Sequence, residues 1–254
     1  MDRFLRIERL LGPERFDRLT KSMVTIAGLG AVGGHVMEGL ARAGVGKLRL
    51  IDFDRIHHHN INRQILALEN TVGMSKVQAA LQRVLQINPH CQVEALELFI
   101  DSESMEQVLH PRPHLLIDAI DSLNPKVSLL TACVSEKIEV ISSMGAALRT
   151  EPNLVRYGDL METSKCPLAR RVRKALRKRG IGEGITCVYS TEEVTFEYID
   201  PEEETVCDDA LPEHGRGRKR RVLGSLPTLT GIFGLTIANL AIKKLIEHQH
   251  GSTP

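Results

Sequence analysis

Residues 23–33 read MVTIAGLGAVG, a strand-like apolar run that enters a G-x-G-x-x-G turn at Gly28, Gly30 and Gly33. Glycines at such a turn let the backbone approach a phosphate, and the helix that follows offers free N–H groups to the anion. Asp52 ends the next apolar run, about 20 residues further on, where an acid can bind ribose hydroxyls. The stretch therefore predicts the first half of a Rossmann-like nucleotide-binding sheet.

The glycine turn alone would serve a nicotinamide dinucleotide equally well, so three further charged residues decide the ligand. Arg63 and Lys76 follow the second apolar run, and Asp121 follows a third one at 115–117. Each could be a solvated surface charge, but as a set they follow successive strand ends, where open α/β sheets bind ligands. A nicotinamide dinucleotide lacks a γ-phosphate and has little use for two cations and a metal-holding acid. The set therefore predicts ATP with a magnesium ion at Asp121.

Strands and helices alternate over the first 140 residues, which predicts an α/β fold with a Rossmann-like, mostly parallel, doubly wound sheet. We expect one domain with four parts: an N-terminal helical segment (1–22), the nucleotide-binding core (23–145), a basic insert with a mobile loop (146–221) and a C-terminal packing helix (222–248). Within them we expect helices at 34–43, 76–87, 104–109 and 125–136, and strands at 92–98, 115–117, 139–143 and 194–198.

The nucleotide motifs resemble the adenylating core shared by ubiquitin-activating enzymes and the bacterial sulfur-carrier activators of molybdopterin and thiamine synthesis. The resemblance rests on Gly28–Gly33, on DFD at 52–54, on NINRQ at 60–64, on Lys76 and on Asp121. It implies that ATP and magnesium convert a carboxylate into an acyl-adenylate. It implies that Asp52 binds the ribose and that Asp121 binds magnesium. It also implies that the phosphates are bound by Asn60, Arg63 and Lys76. We place Gln64, in the same motif, in the ATP-binding set.

Downstream motifs are similar to the tRNA threonylcarbamoyladenosine dehydratase branch of that family. They are SSMGA at 142–146, DLMET at 159–163 with Pro167-Leu168, CVYSTE at 187–192, and the opening Arg3-Phe4 with RLLG at 9–12. The likeness runs from residue 3 to residue 247 and implies a tRNA substrate whose threonylcarbamoyl carboxylate is activated by ATP and cyclised with loss of water. The wider family also implies a homodimer and, in some members, a cysteine desulfurase or sulfur-acceptor partner.

Two candidate catalytic residues depend on this resemblance. The wider family uses an N-terminal arginine, which can come from a partner subunit; Arg9 is the candidate here and Arg6 the second. In ubiquitin-type activators a cysteine accepts the acyl group as a thioester, which makes Cys187 a candidate nucleophile. Because the cyclisation is intramolecular and requires no thioester, a structural Cys187 is slightly favoured.

The composition of the chain indicates which metal cofactor to exclude and which cellular compartment to expect. The chain has 254 residues, 42% of them hydrophobic, a net charge of +1 and five cysteines without any C-x-x-C pair. An odd cysteine count and a charged N-terminal segment favour a reduced, cytoplasmic protein. Sulfur-carrier activators often hold zinc with two C-x-x-C pairs, so we expect no zinc and disfavour that branch. Consecutive histidines at 57–59 converge poorly on one ion and are interpreted as loop residues.

Local charge is more informative than the total. Basic residues crowd 170–179 and 216–221, and such clusters attract phosphate backbones. A solvated helix balanced by the acids of 202–209 is the alternative, but the position of the clusters outside the nucleotide core favours RNA. With 4% aromatic residues a base-stacking platform is not expected.

Residues 222–242 contain no charge and are long enough to span a bilayer. Proline, threonines, Asn239 and glycines dilute the run, so a buried helix is favoured over stable membrane insertion. Gly231, Gly234 and Ala238 would let another helix approach closely. The loops around Gly145 and Gly224 are candidates for holding a monovalent cation through their carbonyl groups.

An enzyme that activates a ubiquitin-like sulfur-carrier protein remains the alternative function. A nucleotide sensor that has kept the fold and lost the chemistry is a third possibility. Intact Asn60, Arg63, Lys76 and Asp121 count against it.

Overall fold

The structure, a computed structural model, describes residues 3–194 and 223–247. The expected strand at 194–198, the basic run at 216–221 and the acids of 202–209 lie, apart from Val194, outside these residues. The strands are β1 (Met23–Ala27), β2 (Lys47–Asp52), β3 (Gln92–Glu97), β4 (Leu115–Asp118), β5 (Val140–Ser143), β6 (Val155–Asp159) and β7 (Thr186–Ser190). The helices are α1 (Leu5–Leu11), α2 (Pro13–Lys21), α3 (Gly33–Ala43), α4 (Lys76–Ile87), α5 (Met105–Leu109), α6 (Leu123–Ser135), α7 (Pro167–Arg177) and α8 (Pro227–Glu247).

One seven-stranded sheet, in the order β3-β2-β1-β4-β5-β7-β6, organises the chain. All neighbours pair in parallel except β6, which runs antiparallel to β7 at the edge. Every residue of β1, β4 and β5 is buried, as expected for strands covered by helices on both faces. The mostly parallel, doubly wound α/β sheet is confirmed, and the carboxyl ends of β1, β2, β4 and β5 meet at one edge.

Helix boundaries follow the punctuation in the sequence. α3 ends at Gly44, whose φ of 94° and N–H bonds to the carbonyls of Leu40 and Ala41 make a left-handed cap. α4 begins after Ser75, whose side chain accepts from the N–H of Gln78 at 3.4 Å. The helix predicted at 76–87 has these bounds, and the one predicted at 34–43 begins one residue earlier.

The C-terminal helix α8 is part of the core. Its buried face includes Phe233, Ile237 and Ala241, and it packs on α3, α2 and the sheet. A Cβ added at Gly39 of α3 would lie 2.8 Å from the Cβ of Ala238, so the two helices touch at small residues. Within the described residues, α8 is the one helix long and apolar enough to cross a membrane, and 61% of its apolar window is buried by the protein itself.

Residues 146–194, the first part of the predicted basic insert, complete the sheet. β7 pairs with β5, and β6 adds the outer edge. α7 lies over this part of the core through Ala169, Val172 and Leu176. The two strands were missed because each spans five residues and carries little period-2 alternation, which leaves no clear periodic signal.

Candidate nucleotide site

The glycine turn between β1 and α3 requires two of its glycines for steric reasons. Gly28 has a φ of +92°, and its Cβ would lie 2.9 Å from the carbonyl oxygen of Ala119 in the loop after β4. A Cβ at Gly33 would lie 1.8 Å from the carbonyl oxygen of Gly28, which no small shift could relieve. Gly30 has no atom within 4 Å of its would-be Cβ. The turn therefore packs tightly against the loop after β4 at Gly28, and its surface at Gly30 is open. A phosphate could approach there, next to the N-terminus of α3.

Asp52, at the end of β2, is fixed beside this turn. One of its carboxylate oxygens accepts from the N–H of Leu29 at 2.7 Å and the other from the N–H of Asp54 at 2.9 Å. Burial raises the pKa of Asp52, while Lys76 and the two N–H donors act in the opposite direction. The predicted ribose acid is thus held rigidly next to the predicted phosphate turn.

Lys76 begins α4 and reaches the same place, with 5% of its surface exposed. Its Nζ lies 2.8 Å from Asp54 Oδ2 and 3.9 Å from Asp52 Oδ1. Burial alone lowers the pKa of Lys76, but the surrounding carboxylates, above all that of Asp52, outweigh burial and raise the pKa above its ordinary value. Lys76 is therefore a permanently charged ammonium at neutral pH, held at the rim of the turn.

The NINRQ motif forms a short 3₁₀ turn and the loop after it. Asn60 is buried, and its Oδ1 accepts from the N–H of His57 at 3.1 Å. Arg63 donates to the carbonyl oxygen of His59 at 2.9 Å, and its pKa is lowered by burial against the opposing effect of Asp121. Gln64 is 8% exposed, and within the described residues its Oε1 has no hydrogen-bond partner. A buried amide oxygen without a donor fits a site whose ligand supplies one.

Asp121 lies on the exposed loop between β4 and α6. Its carboxylate raises the pKa of both Lys76 and Arg63. The three charged residues of the predicted triphosphate site therefore lie close enough to interact. No group of three or more metal-ligating side chains occurs in the described parts of the chain. Magnesium fits one carboxylate because it keeps several waters and takes further oxygens from nucleotide phosphates.

Arg9 lies elsewhere in its own chain. It is exposed on α1, and α1 is anchored by Arg3, which donates to the carbonyl oxygen of Ile87 at 2.8 Å, and by Phe4, which packs near Gly44. Ile87 and Gly44 mark the C-terminal ends of α4 and α3, at the opposite edge of the sheet from the glycine turn. The structure therefore anchors α1 at the edge of the sheet that lies opposite the glycine turn.

Cys187 lies on β7, next to Ser142 on β5, and is fully buried. Burial raises the pKa of its thiol to about 12, so the thiol is protonated at neutral pH. A fully buried, protonated thiol fits a structural cysteine. His57 and His59 stack with ring centroids 5.4 Å apart.

The loops named for a monovalent cation meet in the structure. The N–H of Leu148 donates to the carbonyl oxygen of Gly224 at 2.9 Å. They border a cavity of about 450 Å³ whose lining includes Arg149 and Glu192. Cation binding there stays a prediction.

Sequence reasoning missed two groups of residues at this edge. Asp54, quoted as part of DFD, carries the shorter ion pair with Lys76. Asp118, Lys126 and Ser142 form a fully buried polar network beneath the Asp121 loop. Lys126 is the second residue of the helix predicted at 125–136 and there resembles a solvated charge, so only its close spacing to Asp118 at the end of β4 could have signalled the pair.

Comparison with known proteins agrees with this site. The ThiF family profile matches residues 1–254. The tRNA threonylcarbamoyladenosine dehydratase of Bacillus subtilis is 40% identical over 192 residues, 76% of each chain. The crystal structure of the Escherichia coli tRNA N6-threonylcarbamoyladenosine dehydratase in complex with ATP superposes with a TM-score of 0.83 at 31% identity, covering 96% of this chain and 93% of that one. The molybdopterin-synthase adenylyltransferase of Haemophilus influenzae is 34% identical over 153 residues, 57% of this chain and 62% of its own. The chain belongs to the ThiF family, and within it lies with the tRNA threonylcarbamoyladenosine dehydratases.

Proposed function

We infer that this protein is an ATP-dependent tRNA threonylcarbamoyladenosine dehydratase, which cyclises the threonylcarbamoyl group of a modified adenosine next to the tRNA anticodon. The predicted ATP-binding residues lie at the sheet edge where β1, β2, β4 and β5 end, which is called the nucleotide edge below. The observation that carries this inference is this edge, on a chain that matches tRNA threonylcarbamoyladenosine dehydratases over most of its length. The adenylyltransferases are covered by this chain over a smaller share of their own length than the dehydratases of Bacillus subtilis and Escherichia coli are, which leaves the alternative function less well supported.

ATP fits the edge group by group. Its phosphates would lie on the open side of Gly30, at the N-terminus of α3, within reach of Arg63 and Lys76. Its ribose hydroxyls would donate to Asp52, whose two oxygens are already oriented by backbone N–H groups. The unpaired Oε1 of Gln64 would accept from the nucleotide, because a ribose or an adenine amino group supplies the donor that the protein lacks.

The chemistry needs ATP because a carboxylate is a poor electrophile. In the proposed first step, a carboxylate oxygen of the threonyl group attacks the α-phosphorus of ATP and pyrophosphate leaves. In the second, a urea oxygen or nitrogen of the same side chain attacks the acyl carbon and AMP leaves with the original carboxylate oxygen. The net change in the nucleoside is loss of one water. Arg63 and Lys76 would stabilise the negative charge that develops on the departing phosphates.

Magnesium is part of the proposal, held by Asp121 together with phosphate oxygens, where it would supply further charge neutralisation. Asp121 is suited to this role because it is exposed on a loop whose backbone is fixed from beneath. We also propose a homodimer, in which Arg9 of one copy would reach the ATP of the other; the anchoring of α1 at the opposite edge of the sheet supports this. A cytoplasmic location is proposed as well, and it suits the four buried free cysteines of the described residues.

The tRNA would dock over α7. Its buried stripe faces the core, and Arg170, Arg171 and Lys174 are exposed on the other side. The first turn of α7 lies at the nucleotide edge, because Gly145, just after β5, has Leu168 and Cys166 within 4 Å of its would-be Cβ. The cationic face therefore extends outward from the reaction site, as a polyanionic substrate requires.

The direct test is mass spectrometry of nucleosides from threonylcarbamoylated tRNA incubated with the protein, ATP and magnesium. We expect loss of one water from the modified adenosine, abolished in Asp121→Ala and by EDTA. The matched control is Asp17→Ala, an exposed aspartate on α2, which should retain full conversion. An unchanged nucleoside mass, with ATP–pyrophosphate exchange only when a small carrier protein with a Gly-Gly end is added, would instead establish the carrier-activating function.

A further inference from the structure

A fully buried ion pair lies under the site and has no place in the chemistry described so far. Lys126, in the first turns of α6, is 0% exposed, and so are Asp118 at the end of β4 and Ser142 in β5. Lys126 Nζ lies 2.5 Å from Asp118 Oδ2, 3.2 Å from Ser142 Oγ and 3.0 Å from the carbonyl oxygen of Ser143. The Ser142 hydroxyl donates to the same Asp118 oxygen at 2.6 Å.

Every donor and acceptor at the centre of this network is used. A lysine ammonium has three N–H bonds, and Lys126 has three acceptors. A buried ion pair contributes little to stability relative to apolar side chains of similar volume, because desolvation offsets its attraction. What the network does specify is geometry: it joins the ends of β4 and β5 to the start of α6.

That geometry is transmitted to the loop that carries Asp121. The second oxygen of Asp118 accepts from the N–H of Ile120 at 3.1 Å. The preceding N–H, of Ala119, donates to the carbonyl oxygen of Ala27 in β1 at 2.8 Å. On the far side of the loop, the N–H of Lys126 donates to the carbonyl oxygen of Ser122 at 3.2 Å. Lys126 thus holds the loop at both ends, once through its side chain and Asp118 and once through its backbone.

We propose that the Asp118–Lys126–Ser142 network is a positioning device, which fixes the Asp121 loop so that its carboxylate would hold magnesium against the phosphates of ATP without reorganisation. The proposal rests on the proposed ATP site and assigns its accuracy to three residues that never touch the nucleotide. Without the network, Asp121 would still be present but would sample several positions, and the interactions it makes with ATP would weaken.

The experiment replaces the network by apolar groups: Lys126→Met, Asp118→Leu and Ser142→Ala together. This removes the charges as a set, so no buried ion is left unpaired. Magnesium-dependent ATP binding is measured by titration calorimetry, alone and combined with Asp121→Ala. We expect the triple variant to weaken ATP binding about tenfold, and to add nothing further once Asp121 has been removed.

A second ion pair, in which the cation is fully buried and the carboxylate partly exposed, provides the control. Arg49 in β2 is also 0% exposed and lies 2.8 Å from Glu94, and its contacts with the carbonyl oxygens of Val108 and Pro111 put it away from the nucleotide edge. Arg49→Met with Glu94→Gln should lower stability and leave ATP affinity unchanged. If the triple variant does not fold, Ser142→Ala alone, which removes one hydrogen bond to Asp118, should show a smaller effect with the same dependence on Asp121.

Two results would overturn the proposal. The first is a folded triple variant that binds ATP as tightly as the wild type. The second is a combined variant whose loss of ATP affinity equals the product of the losses in the triple variant and in Asp121→Ala, because the two sites would then act independently. Because these assays measure ATP binding, they are independent of whether tRNA is dehydrated. Failure of the dehydratase assignment would appear only in the nucleoside masses, and failure of the positioning role only in the coupling to Asp121.

Discussion

Replacing Gly234 of α8 by alanine should destabilise the protein, although alanine is the better helix former. The added Cβ would lie 2.6 Å from both the Cβ of His35 and the carbonyl oxygen of Val32 in the start of α3. Carbon atoms in contact prefer about 3.5–4.0 Å, so the helices must separate by about 1 Å. Overpacking of this kind costs about 1–3 kcal/mol, which exceeds the helix propensity gain of about 1 kcal/mol.

Gly231, one turn earlier on the same helix, supplies the matched control. Its would-be Cβ meets only ring atoms of His35 at 3.5 Å or more, an ordinary contact, so Gly231→Ala should gain up to about 1 kcal/mol from helix propensity. The two variants should differ by about 2 kcal/mol, or about 4–8 °C in Tm for a chain of this size. Thermal melts and urea titrations without ATP measure this difference.

Gly234→Ala should also weaken ATP binding, because the carbonyl of Val32 belongs to the start of α3, where the proposed site puts the phosphates. If Gly234→Ala proves as stable as Gly231→Ala, the close approach of α8 to α3 does not exist in solution, and the assignment of α8 as a core helix is refuted.

Two further predictions concern a buried thiol and a buried carboxylate. The Cys187→Ser variant should keep the turnover rate of the wild type but lose about 1–3 kcal/mol of stability, because a buried hydroxyl requires a hydrogen-bond partner that the thiol does not. If Cys187→Ser and Cys187→Ala both fold and are both completely inactive, Cys187 acts as a nucleophile after all. Glu38 accepts from Arg83 at 2.9 Å and from Arg42 at 2.7 Å, and although burial raises its pKa, these arginines together hold the pKa below its ordinary value. A lowered folded-state pKa stabilises above the unfolded value and is lost as pH falls through the folded one. Glu38→Gln should therefore cost about 1 kcal/mol at pH 7. Its difference from wild type in urea titrations should begin to shrink near the unfolded pKa of about 4.3 and should vanish only once the pH lies below the lower folded-state pKa; a difference that does not shrink as the solution is acidified would contradict this.

The nucleotide edge was largely predictable from the sequence because its parts are local. The glycine turn, the acid at the end of β2 and the NINRQ motif each follow a strand whose apolar run is readable, and parallel strands bring their carboxyl ends together. The helix at 76–87 was predictable because Asn88-Pro89 stops it, and in the structure Ser75 caps its other end.

What could not be predicted depends on contacts between distant segments. Lys126 meets Ser142 across 16 residues, and its burial depends on β5 lying beside β4. The short strand β7 is buried as the neighbour of β5, and nothing in its five residues indicates that pairing. The position of Arg9 follows from where α1 is anchored, which involves α4 and the end of α3 rather than its own sequence.

The contact between Gly28 and Ala119 has a consequence for how the sequence can change over time. With a φ of +92° and a carbonyl oxygen 2.9 Å from its would-be Cβ, position 28 accepts a side chain only if the segment at 119 moves as well. The N–H of Ala119 also donates to the carbonyl oxygen of Ala27, so the hydrogen bonding between the first and fourth strands continues into the loop after the fourth strand. Among homologues, drift at either position should be constrained by the other, and sequences that lose the glycine should show compensating change in the loop that follows the fourth strand.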